Sequence, residues 1–333
     1  MGTVLLACLL ALFTPQEDTL RVMFWNLENF FDYRNDSTSV SDAEFSSLGE
    51  RRWTKKRFSA KCNAIAKGIL WAGSAEGGLP DVIGFAEVEN SFVLKRLLQE
   101  TALRKLDYQY VHFDSPDSRG IDVALLYRSS RLQLEDARPC HLFQADSVLA
   151  TRDILLCRFS GLLGHFSVLV NHHPSKYGGT AVSEPRRRLA VERLKALADS
   201  LRTLGETRII ATGDFNDTPA NPVYKLLEPT LLPLAEELHR QGKGTIKYDG
   251  QWDLIDQFYV SPACLSGGAA LNQLPGSAAG TAAVGMKILY IPFLQTPDAA
   301  HGGTKPLRTY SGPRYLGGVS DHCPVWLSLP LPP

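Results

Sequence analysis

The chain has 333 residues, long enough to bury one large core or two ordinary ones, and its 35 Lys and Arg are balanced by 35 Asp and Glu. Apolar residues at 44% and charged residues at 21% exclude a disordered chain and a multi-span membrane protein. Zero net charge excludes the overall basic excess of a generic nucleic-acid binder. Two local basic runs, Arg51–Arg57 and Arg186–Arg188, are read first as solvated helix faces.

In chain order, the first feature is the apolar run Val4–Phe13, followed by polar Gln16-Glu17-Asp18. It is about half the length needed to span a bilayer. It fits the apolar region of a secretory signal, so residues 1–16 are expected to be a leader and the mature chain to lie outside the cytoplasm with no transmembrane segment. No Lys or Arg precedes the run and no Ala-x-Ala site follows it, which keeps a cytoplasmic location as the alternative. Six scattered cysteines with no CxxC pair argue against a structural zinc site and against a disulfide scaffold.

Residues 17–333 read as one catalytic domain in which short buried strands alternate with amphipathic helices. Strands are predicted at Leu20–Trp25, Val82–Phe85, Val123–Tyr127, Ile154–Phe159, Phe166–Val170, Arg208–Thr212, Leu254–Val260 and Val325–Leu329. Helices are predicted at Lys56–Leu70, Phe92–Thr101, Arg186–Leu204 and Val223–Leu227. A Gly- and Ala-rich stretch, Ser266–Gly285, leads into Lys287–Gly303. This region, about 264–305, reads as a long excursion from the domain.

Polar residues cluster at strand ends. Asn26-Leu27-Glu28-Asn29 follows the first strand, and Glu87-Val88-Glu89-Asn90 the second. Asn171-His172-His173-Pro174 and Gly213-Asp214-Phe215-Asn216-Asp217 end two more, and Ser320-Asp321-His322 precedes the last. Any one of these could be a turn or a cap. Turns have no need to combine Glu, Asp, Asn and His along one chain, whereas phosphoryl chemistry does. Gathered carboxylates repel one another unless a cation compensates them, and Mg²⁺ or Mn²⁺ suits hard oxygen ligands. A carboxylate can activate water, an imidazole can donate to a phosphoryl oxygen or a leaving group, and an amide can donate without adding charge.

The ordered motifs are Phe-Trp-Asn-Leu-Glu-Asn (24–29), Gly-Phe-Ala-Glu-Val-Glu-Asn (84–90), Arg-Gly-Ile-Asp-Val-Ala (119–124), Val-Asn-His-His-Pro-Ser (170–175), Gly-Asp-Phe-Asn-Asp (213–217), Asp-Leu-Ile-Asp-Gln-Phe (253–258) and Ser-Asp-His-Cys-Pro-Val (320–325). The series resembles the endonuclease/exonuclease/phosphatase superfamily, the group of pancreatic deoxyribonuclease, abasic-site repair nucleases, neutral sphingomyelinases and inositol polyphosphate phosphatases. The resemblance implies an α/β fold, a four-layer sandwich of two packed mixed β-sheets flanked by helices. It also implies a divalent-metal cofactor, Mg²⁺ or Mn²⁺. Glu87 would be the principal metal ligand, with Asn26, Glu28 and Asp321 in or near the metal shell. His172 would contact the scissile phosphate, Asp214 would orient or activate the attacking water, and Asn216 would hold the phosphate. Asp256 would fix the imidazole of His322.

His173 stands where many relatives carry a larger apolar or aromatic residue, so either histidine could be the phosphate contact; the family motif favours His172. Lys176-Tyr177-Gly178-Gly179 and Arg308-Thr309-Tyr310-Ser311-Gly312 resemble a bacterial, often exported branch, which makes Arg119, Lys176 and Tyr177 candidate substrate contacts. The first functional expectation is a monomeric metal-dependent nuclease or general phosphodiesterase. The alternative is a phosphatase or phospholipase-type hydrolase of a small phosphoester or lipid headgroup. A non-catalytic binding module on the same fold is a third reading, disfavoured because such a module has no chemical reason to keep the whole constellation.

Overall fold

A computed structural model describes residues 19–36, 39–161, 164–176, 179–265 and 284–330, without the side chains of 40 and 180–182. The expected leader, Tyr177 and residues 266–283 of the Gly/Ala-rich stretch lie outside the described residues. The principal strands in chain order are β1 (Thr19–Phe30), β2 (Val82–Val88), β3 (Tyr108–His112), β4 (Asp122–Arg128), β5 (Leu132–Cys140) and β6 (Ile154–Gly161). They continue as β7 (Gly164–His172), β8 (Ile209–Asp214), β9 (Leu232–Pro233), β10 (Asp256–Val260), β11 (Met286–Ile288) and β12 (Val325–Pro330). The long helices are α1 (Lys55–Ala75), α2 (Ser91–Glu100) and α3 (Thr180–Thr203).

Two six-stranded mixed sheets result, in the orders β11-β12-β1-β2-β4-β3 and β9-β10-β8-β7-β6-β5. At the centre of each lies a parallel pair, β1–β2 in one and β7–β8 in the other, and the remaining pairings are antiparallel. A parallel pair cannot be closed by a hairpin and needs a crossover. Helix α1 lies in the β1–β2 crossover and α3 in the β7–β8 crossover.

Strand alternation then builds the layers. Leu20, Val22 and Phe24 of β1 share a core with Val168 and Val170 of β7, Ile210 of β8 and Phe258 and Val260 of β10, between the sheets. The other face of β1, Met23 and Trp25, packs with Phe58, Ile65 and Ile69 of α1. On the far side, Leu169, Ile209 and Ala211 pack with Ala190, Val191, Leu194 and Ala198 of α3. Helix α1 starts at Thr54 and α2 at Asn90, whose side chains accept N–H bonds from Arg57 and from Phe92 and Val93.

The eight predicted strands form with small shifts of their ends, while β3, β5 and the short edge strands were not anticipated. Val223–Leu227 is a 3₁₀ segment, Pro222–Leu227, and not an α-helix. The described part of the expected excursion carries structure of its own. Met286–Ile288 extends the first sheet, and Gln295–Pro297 pairs with Thr304–Pro306, so most of the stretch after residue 284 is folded onto the sandwich. The five described cysteines are buried and unpaired. Among the described residues no helix is long and apolar enough to cross a membrane.

Candidate active site

The site grows directly out of the core between the sheets. Side chains two apart on a strand share a face, so each inward apolar stripe dictates where the next residue points. Val22 and Phe24 lead to Asn26, Val168 and Val170 to His172, Ile210 and Thr212 to Asp214, and Val260 and Phe258 back to Asp256. Cross-strand register then aligns them, because Asp214 sits opposite His172 on one side and Asp256 on the other. Gly213 permits this spacing, since a Cβ there would lie 2.2 Å from the Asn171 carbonyl oxygen.

Backbone irregularities aim the remaining groups. Between Asn26 and Phe30 the β1–β2 register slips from Ala86 to Val88, and β2 bulges against β4 over the same stretch. Among the described residues, four of the seven non-glycine residues with positive φ belong to this end: Glu28 (46°), Asn29 (53°), Glu87 (61°) and Asn216 (52°). Side chains other than glycine pay strain in the left-handed region, and such strain concentrates where a side chain must be aimed.

Asp214 is the hub. Its Oδ2 accepts from Asn26 Nδ2 at 3.0 Å, and its Oδ1 accepts the Asn216 N–H at 2.8 Å. His172 Nε2 and His322 Nε2 lie 3.7 and 3.9 Å from Oδ2. Burial pushes the Asp214 carboxyl up to about 7; His322 opposes the rise and Asp256 adds to it. His322 Nδ1–H donates to Asp256 Oδ2 at 2.7 Å. Burial alone would lower the His322 pKa, but the charge and hydrogen bond of Asp256, with the charges of Asp214 and Asp321, hold it well above the ordinary value. His172 is driven the other way, well below its ordinary value, by burial and then by Arg152 and Arg119. The two imidazoles are thus driven in opposite directions.

A second cluster adjoins the hub. The Glu28 carboxylate accepts from Arg308 Nε at 2.8 Å and from the Thr309 N–H at 3.1 Å. Arg308 also reaches Asp321, with Nη2 3.1 Å from Oδ2. Lys61, buried, donates to the Glu28 carbonyl at 2.6 Å and to Thr309 Oγ1 at 2.9 Å. Burial and then Asp321 raise Glu28 to about 7 against the pull of Arg308 and Lys61, while burial brings Lys61 down to about 8 against Glu28, Glu87 and Asp321.

Asp214, Asp256 and His322 offer three ligand atoms within 4.8 Å of one another. Because His322 Nδ1 spends its proton on Asp256, that group is better described as a hydrogen-bonded pair facing an acid than as a cation cage. Hard-oxygen donors are supplied instead by Glu87, whose Oε2 accepts the Asn29 N–H at 2.7 Å, by Asn26 Oδ1 and by Asp321. That donor set fits Mg²⁺ or Mn²⁺. Burial, and after it the neighbouring carboxylates Asp321 and Asp256, raise the pKa values of Glu28 and Asp214, and a divalent cation would offset the part due to like charge. Each Glu28 oxygen accepts one hydrogen bond, from Arg308 and from the Thr309 N–H, so in the metal shell that the resemblance implied Glu28 stands beside a protein cation.

The other expected residues divide. Asn216 Nδ2 donates to the His173 carbonyl at 2.9 Å, so its amide ties two motif loops together with one N–H already used. His173 faces away from the hub, its ring edge against Phe215 at 4.7 Å, and it is held down to about 3 by burial and then by Arg152 and Arg187. Alternation along β7 sends adjacent residues to opposite faces, and this is what separates it from His172. Lys176 Nζ is paired with Asp217 at 2.9 Å, whereas Arg119 is half-exposed beside the site. Arg308, Lys61 and Arg152 were not anticipated as site residues. The Arg-Thr-Tyr-Ser-Gly stretch was the one signal that pointed toward Arg308.

A sequence profile described as the Endonuclease/Exonuclease/phosphatase family matches residues 21–330. No curated protein gives a sequence match. Among solved structures, truncated TDP2 from Caenorhabditis elegans superposes with a TM-score of 0.57 at 13% identity, over 94% of this chain and 97% of its own. The human Nocturnin catalytic domain with bound sulfate has a TM-score of 0.55 at 16% identity, over 93% of this chain and 94% of its own. A mannosyl-6-phosphatase from Bacteroides thetaiotaomicron has a TM-score of 0.53 at 17% identity, over 92% of this chain and 98% of its own. At these identities the likeness establishes the fold.

Proposed function

We propose, for a chain that belongs to the Endonuclease/Exonuclease/phosphatase family and is thereby a metal-dependent phosphoester hydrolase, that the substrate is a small polar phosphoester rather than a nucleic-acid polymer. The observation that carries this is the fate of the basic runs. Arg51 is spent on Glu44 at 2.6 Å and on the rings of Phe45 and Tyr310. Arg57 is spent on the carbonyls of Arg51 and Arg52 and on the ring of Tyr315. Arg187 is buried against Asp217, and Arg188 pairs with Glu192 at 2.8 Å. Arg52, Lys55, Lys56 and Arg186 stay exposed, which leaves a polyanion a broken rather than a continuous basic track. The mannosyl-6-phosphatase among the structural relatives shows that the fold accommodates a small phosphoester.

The roles follow from the geometry. Glu87, Asn26 and Asp321 would hold a divalent cation, which would polarise the phosphoryl oxygen and offset developing charge. Asp214, titrating near neutrality, orients and deprotonates the attacking water. His322, kept charged by Asp256, donates to the phosphoryl group, and neutral His172 offers a second contact without adding charge. Export belongs to the same reading, supported by the apolar run Val4–Phe13, and N-terminal sequencing of the protein recovered from its native host tests it.

A panel decides the substrate: aryl phosphomonoesters and diesters, sugar phosphates, nucleotides, inositol phosphates, sphingomyelin, single strands and plasmid, each with Mg²⁺ and Mn²⁺. Small esters should be turned over with the highest kcat/KM. A preference of more than about tenfold for plasmid or single strands would reject the small-substrate reading, and turnover of nothing on the panel would reject the catalytic roles.

A further inference from the structure

Beside His172 lies a cavity of about 440 Å³ with an unusual balance of charge. Three arginines, Arg119, Arg152 and Arg186, line it together with one carboxylate, Asp117. That carboxylate is already spoken for. Its Oδ2 accepts from Arg152 Nη1 at 3.1 Å, and its Oδ1 accepts the Arg119 N–H at 2.9 Å. Two positive charges are therefore left over.

Arg152 shows that this excess is built in. The residue is only 6% exposed, and its Nη2 donates to the His173 carbonyl at 2.6 Å. Its Nε has no acceptor among the described residues. That N–H is closed off from the cavity, so what an anion there would meet is the charge of the buried guanidinium beside those of Arg119 and Arg186. Among the described residues, the carboxylate nearest Arg119 is Asp117 at 3.9 Å, and Arg186 donates to the Ala150 carbonyl at 3.2 Å. The position is also informative. Arg152 is bonded to the residue that follows His172, and the charges of Arg152 and Arg119 both bear on the His172 ring.

We propose that this cavity is a second anion subsite, so that the substrate is a small phosphoester bearing a further phosphate or carboxylate away from the bond that is cut. The proposal rests on the small-phosphoester reading above and names its substrate class. Planar guanidinium groups bind either anion through paired N–H donors, and both anions are therefore tested.

The test is calorimetric titration of the metal-free protein with glucose 6-phosphate, glucose 1,6-bisphosphate and 6-phosphogluconate. The two doubly anionic probes should bind roughly tenfold more tightly than glucose 6-phosphate, as one charge-assisted contact predicts. In the Arg119→Ala/Arg186→Ala double variant the three affinities should come within about twofold of one another. Arg188→Ala, which removes an arginine paired with Glu192 on α3, should keep the preference. Circular dichroism checks that each variant is folded. Equal affinities in the wild type, or a preference that survives the double variant, overturn the subsite. A preference for the bisphosphate alone makes the subsite a phosphate site. Turnover with Mg²⁺ is measured separately: if none of the three is hydrolysed the small-phosphoester reading suffers, and the affinity ratio still decides the subsite.

Discussion

Replacing Arg308 by alanine tests the electrostatics of the site more sharply than removing any residue at its hub. Arg308 bridges two acids, with 2.8 Å to Glu28 and 3.1 Å to Asp321. Glu28 is only 6% exposed, so the substitution leaves a buried carboxylate whose remaining hydrogen bond among the described residues comes from the Thr309 backbone N–H. Breaking a fully buried pair costs about 3–5 kcal/mol. The Arg308 side chain is 51% exposed, and water entering the space it leaves roughly halves that figure, to about 2 kcal/mol. The sign with pH follows from Glu28, whose folded pKa is raised to about 7, so below that pH it is protonated and needs no cation. The loss should be full near pH 8 and shrink toward pH 5. Urea unfolding in EDTA at both pH values measures it, and repeating the series with Mg²⁺ should recover part of the loss. A double-mutant cycle supplies the control: with Glu28→Gln in place, Arg308→Ala should cost less than about 1 kcal/mol. Arg308→Lys should rescue only partly, because an ammonium cannot serve both carboxylates as the guanidinium fork does. If Arg308→Ala is as stable as the wild type at pH 8 without metal, the bridge is incidental and the reasoning fails.

Three further outcomes are expected. Asp214→Asn and His322→Ala should each lower kcat/KM on the preferred substrate by roughly 10²–10⁴ with the far-ultraviolet dichroism unchanged, and a loss under fivefold from both would reject the hub assignment. Glu87→Gln should weaken Mg²⁺ binding by calorimetry at least about tenfold while leaving unfolding in EDTA nearly unchanged, whereas unaltered Mg²⁺ affinity would remove Glu87 from the metal shell. His173 is held down to about 3 when folded, against about 6.5 in an unfolded chain. The unfolded state alone therefore takes up a proton as pH falls through 6.5, which costs the fold about 3 kcal/mol by pH 4. His173→Leu should shift the acid-unfolding midpoint to lower pH, and an unmoved midpoint would show that this histidine does not govern acid stability.

Much of the site was legible in sequence because strand geometry is so regular. Short apolar runs identify the central strands, and once they are folded their alternation carries on into Asn26, His172, Asp214 and Asp256. Between His172 and His173 the residues alone left the choice open and the family motif favoured His172; the structure puts His173 against Phe215. The placement of motifs relative to strands now has a cause as well. At the shared end of the sandwich, the parallel strands β1, β2, β7 and β8 present their C-terminal ends, so their motifs follow them. The antiparallel neighbours β10 and β12 begin at that same end, so Asp256 opens one and Ser320-Asp321-His322 precedes the other. A single edge thus gathers motifs that look inconsistently placed along the chain.

The charges that tune this edge were not legible, and the reason is reach. Arg308 meets Glu28 across 280 residues of sequence, and Lys61 meets Thr309 across 248. Neither pairing follows from periodicity, since a long side chain from a loop or a helix can end almost anywhere within its length. Yet these groups decide what the acids can do. With Arg308 and Lys61 bearing on Glu28, Glu87 and Asp321, the acidic cluster keeps only part of its charge for a cation. Burial, and after it Arg152 and Arg119 on one side, drives His172 below its ordinary value, while Asp256, Asp214 and Asp321 on the other hold His322 above it against burial, so two histidines on one hub are pushed in opposite directions.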